Sequence, residues 1–430
     1  MDIVAAMGSS IPNVSKLIRQ PLAFGLDTGL AALYGFVVIA AAARTLSVES
    51  VGVLSFIIVI VTLQIPLATV GLDKLVYARV SRQKKYHISK TNYLSTAVFI
   101  SGIVFYCTGL ISFFIIGGAS YAIAYMLGGL RLLGAFSEII RAGFRAERRP
   151  EAYIGARIAS TTVSFLILVL IFQWPTLYGF TLVWALDGLL FAAFTMLQHK
   201  SVQLTKFNYK ATRKMLYRGL PSMVQMIFVS IYYRFDQLYI GSALGEAALG
   251  VYAVGARVAE AGNMLFGLVS LMITPSIVKS IGNKQFAVTI RRHLFPFLAL
   301  VFVFLIASYL LAAPLFNIIF GETYDLSVQV FYIYIWAVPF TALGFAGSAV
   351  AISCGAYRAP VVSGACAALV CVGLTVILTK YFGILGAAFA TVASYAVAAG
   401  IVWIGALGGI GNMEQHQVRM KNECSDERSK

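Results

Sequence analysis

Arg234, Asp236, Arg257 and Glu260 fall within Ser230–Glu260, SIYYRFDQLYIGSALGEAALGVYAVGARVAE, a stretch otherwise apolar and long enough to cross a bilayer twice. An ionisable group at the centre of a membrane helix costs roughly 2.5–3.5 kcal/mol even on the lenient insertion scale. Four of them in one helical hairpin need a reason, and the default one is a polar pathway or a binding site between helices. Arg257 and Glu260 are three residues apart, share a helical face and are placed to pair. Arg234 and Asp236 are two apart, on nearly opposite faces, and are not. Elsewhere Arg131 and Glu138 lie seven apart on one face of a fourth apolar run. Arg131, near the middle of that run, has the least access to either interface. Asp27, Arg157 and Asp187 lie nearer the cytoplasmic ends of the first, fifth and sixth runs, from where Asp27 and Arg157 are expected to snorkel to the surface.

Other chemistries find no footing. The chain has no GxxxxGK[ST] nucleotide loop, no HExxH and no GxSxG. Its four histidines, at 87, 199, 293 and 416, all fall in polar connectors or the tail. No cysteine pattern suits a metal or an extracellular disulfide. No enzyme activity, cofactor or metal is expected. Tyr232, Tyr233, Tyr239 and the run Tyr332–Trp336 suit either stacking on sugar rings or packing between helices and at the interface.

The elements that must hold these charges are membrane helices. Hydrophobic residues make up 60% of 430 and charged ones 12%, against about 25% charged in a soluble domain. The mean hydropathy is +0.85. Twelve apolar segments can cross a core of about 30 Å. They lie near 22–43, 50–71, 95–116, 119–140, 153–173, 176–197, 219–243, 248–273, 295–318, 328–352, 360–380 and 384–408. The period-2 alternation of a membrane barrel is absent, so the spans are helices. Of 33 Lys and Arg, 27 fall in the alternate connectors and both tails, two (Arg44 and Lys380) in the opposite loops, and four within spans. This asymmetry puts both termini in the cytoplasm. It also accounts for the net charge of +16 without invoking nucleic acid.

The longest basic connector, from His199 to Arg218, divides the spans six and six. The expected organisation is an N-terminal lobe over 1–200, a C-terminal lobe over 201–411 and a polar, frayed cytoplasmic tail over 412–430. A weak repeat supports it. Leu46–Val53 aligns with Leu244–Val251 at an offset of 198, and Gly134, Arg148 and Pro150 align with Gly344, Arg358 and Pro360 at 210. An even number of spans per half gives both copies one orientation, related by an axis along the membrane normal with a cavity between them. Pro66 and Pro339, inside spans two and ten, are candidate kinks.

The stretch Tyr233-Arg234-Phe235-Asp236-Gln237-Leu238, followed by Ile240-Gly241, Leu244-Gly245 and Leu249-Gly250-Val251-Tyr252, resembles Wzx-type polysaccharide (O-antigen) flippases of the multidrug/oligosaccharidyl-lipid/polysaccharide (MOP) exporter superfamily. Arg257 with Glu260, Pro275, Ala43-Arg44-Thr45-Leu46 with Gly52, and Gly71-Leu72 agree with it. So do Gly321 with Tyr324, and Tyr381-Phe382-Gly383-Ile384-Leu385-Gly386-Ala387-Ala388 with Thr391. The turn Ser353-Cys354-Gly355 departs from the pattern, and the chain lacks the extra spans of fourteen-helix lipid II flippases.

The resemblance implies an all-α polytopic bundle, with two six-helix lobes around a central cavity as in multidrug and toxin extrusion transporters. It implies a bacterial inner-membrane flippase that carries an undecaprenyl-pyrophosphate-linked oligosaccharide from the cytoplasmic to the periplasmic leaflet. Besides that substrate and the bilayer, polysaccharide assembly proteins (a polymerase, a chain-length regulator) are the expected partners. Arg131, Arg234 and Arg257 would then offer guanidinium groups to phosphates or acidic sugars. Asp27, Glu138, Asp187, Asp236 and Glu260 are the charge-pair or ion-coupling candidates. The competing reading is a cation-coupled multidrug exporter of the same superfamily, which would rely on membrane acids facing a cationic drug.

Overall fold

A computed structural model describes residues 14–82, 93–115, 119–147, 149, 151–198, 209–280 and 286–428. Among them every regular element is a helix. In chain order these are α1 (Val14–Thr45), α2 (Val48–Thr69), α3 (Leu72–Arg82), α4 (Tyr93–Ile115), α5 (Ala119–Leu133), α6 (Ser137–Ala146), α7 (Glu151–Gln173) and α8 (Leu177–Gln198). Then come α9 (Tyr209–Ala243), α10 (Glu246–Ser280), α11 (Phe286–Phe320), a short 3-10 turn, α12 (Asp325–Tyr334), α13 (Ala337–Ser353) and α14 (Ala359–Arg428).

Seven helices among the described residues are long and apolar enough to cross a membrane, and the bent α12–α13 pair makes an eighth. In α14 the apolar stretch Ala359–Ile410 runs for 52 residues and breaks at Gly383, which has φ 57° and ψ −140°. At 1.5 Å per residue it would reach about 78 Å, far more than one crossing, and the positive φ that glycine tolerates is where it turns. α9 and α10, at 35 residues each, have the length to cross and carry the charged hairpin. Past Gly411 the helical backbone continues to Arg428 where a frayed tail was expected. The sequence there, rich in Glu, Lys, Arg, Gln and Met, holds neither Gly nor Pro after Gly411.

The fourth span of each half is broken. α5 and α6 are separated by a turn at 134–136, and α12 and α13 by one at 335–336 with a bend of 42°. Pro339 therefore sits in the first turn of α13, where its missing N–H costs nothing. Pro66 lies inside α2, whose end is turned by Val70 (φ 49°) and Gly71 (φ 64°) into α3.

The chain forms two compact units. The first comprises Met1–Gly35, Gln64–Trp174 and Thr181–Met223. Its core gathers Leu72, Val76 and Val80 of α3, Ile139, Ile140 and Phe144 of α6, Tyr153 and Ala156 of α7, and Phe191 of α8. The second comprises Phe36–Leu63, Pro175–Phe180 and Val224–Lys430. One of its cores packs Ile277 of α10 and Val350 and Ala351 of α13 against Val402, Ala406 and Ile410 of α14.

Within the second unit the repeat becomes a contact. A Cβ on Gly52 would stand 1.8 Å from the carbonyl oxygen of Glu246, and one on Gly250 would stand 2.3 Å from that of Val48. Val48 and Glu246, like Gly52 and Gly250, are equivalent at the offset of 198. The two copies of the turn thus meet in a self-complementary pair, the form of contact a two-fold relation generates. Without a Cβ on either glycine the helix starts touch backbone to backbone. Nearby, Arg44 at the end of α1 donates from Nε to the carbonyl of Ile319 at 2.7 Å and through its guanidinium to Ile318, covering the last carbonyls of α11.

Candidate functional site

One face of α8 carries Trp184, Asp187, Gly188 and Phe191, spaced so that each lies above the next. Gly188 and Gly134 bring the turn after α5 within reach, since a Cβ on Gly134 would stand 2.5 Å from the Gly188 carbonyl oxygen. That approach seats Arg131 against α8. Its Nη1 donates to the carbonyl of Trp184 at 2.8 Å and lies 3.8 Å from Asp187 Oδ2, and its guanidinium stands 4.7 Å from the Trp184 ring centre. Its side chain is 25% exposed, whereas that of Asp187 is fully buried.

Below it the first unit holds a chain of buried ion pairs. Arg157, on α7, donates from Nε to Asp27 Oδ1 at 2.9 Å and from Nη1 to Asp187 Oδ2 at 3.4 Å, with its guanidinium 3.8 Å from the Phe191 ring centre. Arg141 donates from Nη1 to the other oxygen of Asp27 at 2.9 Å and from Nη2 to Glu138. Arg145 Nη2 lies 3.8 Å from Asp27. Asp27 and Asp187 are fully buried and Arg157 nearly so. Oδ1 of Asp187 has no hydrogen-bond partner among the described residues.

These contacts correct two expectations. Asp27 and Arg157 do not snorkel, because each finds the other in the interior and a paired charge gains nothing by leaving. Arg131 and Glu138 do not share a face, because the turn at 134–136 breaks the helical register between them. Sequence reading also missed Arg141 and Arg145, which counted there as an inner loop. The signal was present: Glu138, Arg141 and Arg145 stand at i, i+3 and i+7, one face of a helix.

In the second unit Glu260 is shared. Arg234 Nη1 and Nη2 meet its two oxygens at 2.5 and 3.3 Å, and Arg257 Nη1 meets Oε2 at 3.0 Å. The expected Arg257–Glu260 pair is therefore real, and Arg234 turns to it rather than outward. Arg257 leaves Nε and Nη2 buried with no hydrogen-bond partner among the described residues. Asp236, fully buried, accepts from the Tyr252 hydroxyl at 2.5 Å, the Thr391 hydroxyl at 2.9 Å and the Gln237 N–H at 2.7 Å. No ion pair to it occurs among the described residues. The side-chain amides of Gln237 and Asn263, both buried, have no hydrogen-bond partner among the described residues. Tyr232, Tyr233 and Tyr395 pack ring on ring at 4.9–5.6 Å, and Tyr332 stacks on Tyr309 at 4.2 Å, so these tyrosines pack between helices. Phe235 and Tyr239 stack at 6.1 Å, while Trp336 is exposed.

Residues 41–329 match a family model described as polysaccharide biosynthesis protein, two thirds of the chain. The chain belongs to this family. The match encloses the hairpin charges and all of the first unit's cluster except Asp27. Solved structures share the fold at low identity. An inward-facing multidrug resistance MATE family transporter of the MOP superfamily is 15% identical, with a TM-score of 0.71 over 90% of this chain and 96% of that one. The lipid II flippase MurJ in an inward closed conformation is 14% identical, with a TM-score of 0.69 over 93% and 91%. A MOP superfamily transporter from Pyrococcus furiosus is 16% identical, with a TM-score of 0.63 over 92% and 95%. A search among curated proteins gives no match. Family and fold together make the chain a multi-pass membrane protein of the polysaccharide biosynthesis family that shares its fold with these transporters.

Proposed function

We propose that this protein flips an undecaprenyl-pyrophosphate-linked oligosaccharide from the cytoplasmic to the periplasmic leaflet of the bacterial inner membrane by alternating access of two six-helix lobes. The observation that carries the substrate class is Arg257. It spends one nitrogen on Glu260, and its buried Nε–Nη2 edge, the edge that grips a phosphate or carboxylate through two parallel hydrogen bonds, has no hydrogen-bond partner among the described residues. Charge balance points the same way. The first unit's cluster sets Arg131, Arg141, Arg145 and Arg157 against Asp27, Glu138 and Asp187, and the second sets Arg234 and Arg257 against Glu260. Among the ion-paired groups each keeps one positive charge in excess, Asp236 standing outside the second cluster's pairs, and this suits an anionic head. An inside-negative potential drives such a head outward by about 2.3 kcal/mol per charge per 100 mV. The prenyl chain stays in lipid while the head crosses.

Asp236 supports a cation-coupled cycle, since it is a buried carboxylate held by hydroxyls and an N–H rather than by a guanidinium. The cation-coupled multidrug exporter draws on this same residue. The discriminating experiment expresses variants in a host lacking its own flippase and reads surface glycan and membrane protein level together. Arg257→Ala is expected to abolish glycan display at normal protein level, with Arg257→Lys restoring part of it. Arg131→Ala, which also breaks the contacts to Trp184 and Asp187, is expected to abolish display with some loss of protein. Normal display in both alanine variants, or resistance to cationic drugs that depends on Asp236, would overturn the glycan reading.

A further inference from the structure

The first turns of α9 have two sharply different faces, and the outer one has no role in the flipping cycle above. On the inner face the Thr212 hydroxyl bonds that of Thr96 at 3.0 Å, and Met215 and Leu216 pack on the first unit's core. A Cβ on Gly219 would stand 2.1 Å from the Val70 carbonyl oxygen, so this face is pressed against its neighbour backbone to backbone. On the outer face Tyr209, Lys210, Arg213, Lys214, Tyr217 and Arg218 line a shallow concavity of about 590 Å³. Four cations stand there with no acid anywhere from 209 to 218.

We propose that this face is a docking site for the anionic headgroups of phospholipids in the cytoplasmic leaflet. Three features select that occupant. Lys210, Arg213, Lys214 and Arg218 recur at helical spacing on one side, whereas an orientation signal would be met by the same charges in any arrangement. Tyr209 and Tyr217, both about two-thirds exposed, flank them as residues that sit at headgroup level do, and Arg213 stands 5.7 Å from the Tyr217 ring centre. One turn further along the same side come Leu220 and Pro221, exposed and apolar. Cations followed along one face by exposed apolar residues match a leaflet in cross-section, phosphate first and acyl chain next. A site for a soluble anion or a nucleic acid would have no use for the apolar step. Held in this way, the start of α9 is fixed to the membrane surface at the head of the charged hairpin.

The test uses the purified full-length protein in neutral detergent, titrated by calorimetry with short-chain phosphatidylglycerol, with phosphatidylcholine of the same chain length, and with inorganic pyrophosphate. Phosphatidylglycerol is expected to bind and phosphatidylcholine not to. Each exchange among Lys210→Gln, Arg213→Gln, Lys214→Gln and Arg218→Gln is expected to weaken binding about fivefold, and the quadruple variant to lose it. Lys210→Arg with Lys214→Arg is expected to keep it. Should the quadruple variant fail to fold, the single lysine variants, on exposed positions, carry the comparison. Equal affinity for phosphatidylcholine, unchanged binding in the single or quadruple variants, or a pyrophosphate affinity matching that of the lipid would overturn the proposal. Glycan display is not the readout, so failure here leaves the flipping reading untouched.

Discussion

Arg157 joins the carboxylates of Asp27 and Asp187, both fully buried, and its loss leaves Asp27 to Arg141 and Arg145 and Asp187 to the longer 3.8 Å contact with Arg131. Breaking one partner out of a buried pair typically costs about 3–5 kcal/mol. Arg157→Gln is therefore expected to lower the unfolding temperature in detergent sharply, and Asp27→Asn to do so as well. The Asp27→Asn/Arg157→Gln double variant is expected to be more stable than the sum of the two losses implies, by about 1 kcal/mol or more. Additive losses would show that the contact carries no coupling. Asp236 makes the opposite case. Asn keeps an oxygen for the hydroxyls of Tyr252 and Thr391 but has no titratable site for a proton and no charge to balance a sodium ion. Asp236→Asn should keep protein level and unfolding temperature near wild type while export in inverted vesicles stops responding to an imposed pH or sodium gradient. A full gradient response in that variant would remove Asp236 from the coupling role.

Helices act here through the places where they break or touch. The starts of α2 and α10 present two positive dipole ends to each other, each with an acid in its first turn, Glu49 and Glu246. Gly52 and Gly250 let them meet without a side chain between. Ala at either position drives a methyl into a backbone carbonyl, which cannot rotate away. Gly52→Ala and Gly250→Ala are both expected to separate the two helix starts, which would appear as loss of disulfide cross-linking between cysteines placed at Val48 and Leu249. An unchanged cross-linking rate would mean that the close approach does not govern the contact. The repeat that identifies these glycines was legible in the sequence, and so was the Arg257–Glu260 pair, because both follow from spacing along one helix. The breaks at 134–136 and 335–336 were not, since each run stays apolar on average across its turn and hydropathy does not register a turn. Missing the break put Arg131 and Glu138 on one continuous helix and left their partners unread. It also hid Arg141 and Arg145, whose pairing with Asp27 depends on where α6 starts and on a helix more than a hundred residues away.

At the scale of the whole molecule, charge and hydropathy place the chain in the membrane, and the topology they imply meets its sharpest test at the C-terminal end. With 27 of 33 basic residues on alternate connectors and tails, the count of spans from either terminus must agree on which side each loop faces. The apolar stretch Ala359–Ile410 is more than twice the length one crossing needs, and Gly383 interrupts it with a backbone conformation no helix contains. If both termini are cytoplasmic, the polypeptide at Gly383 is periplasmic, and Lys380 beside it is one of only two basic residues on that side. An alkaline phosphatase reporter fused after Phe382 is then expected to be active. Fused after Gly355 or Arg428, it is expected to be inactive, and a fluorescent reporter after Arg428 to be bright. A silent phosphatase after Phe382 would mean that α14 does not reverse at Gly383. The C-terminal half would then hold an odd number of crossings, and a parallel repeat of six spans and six could not stand.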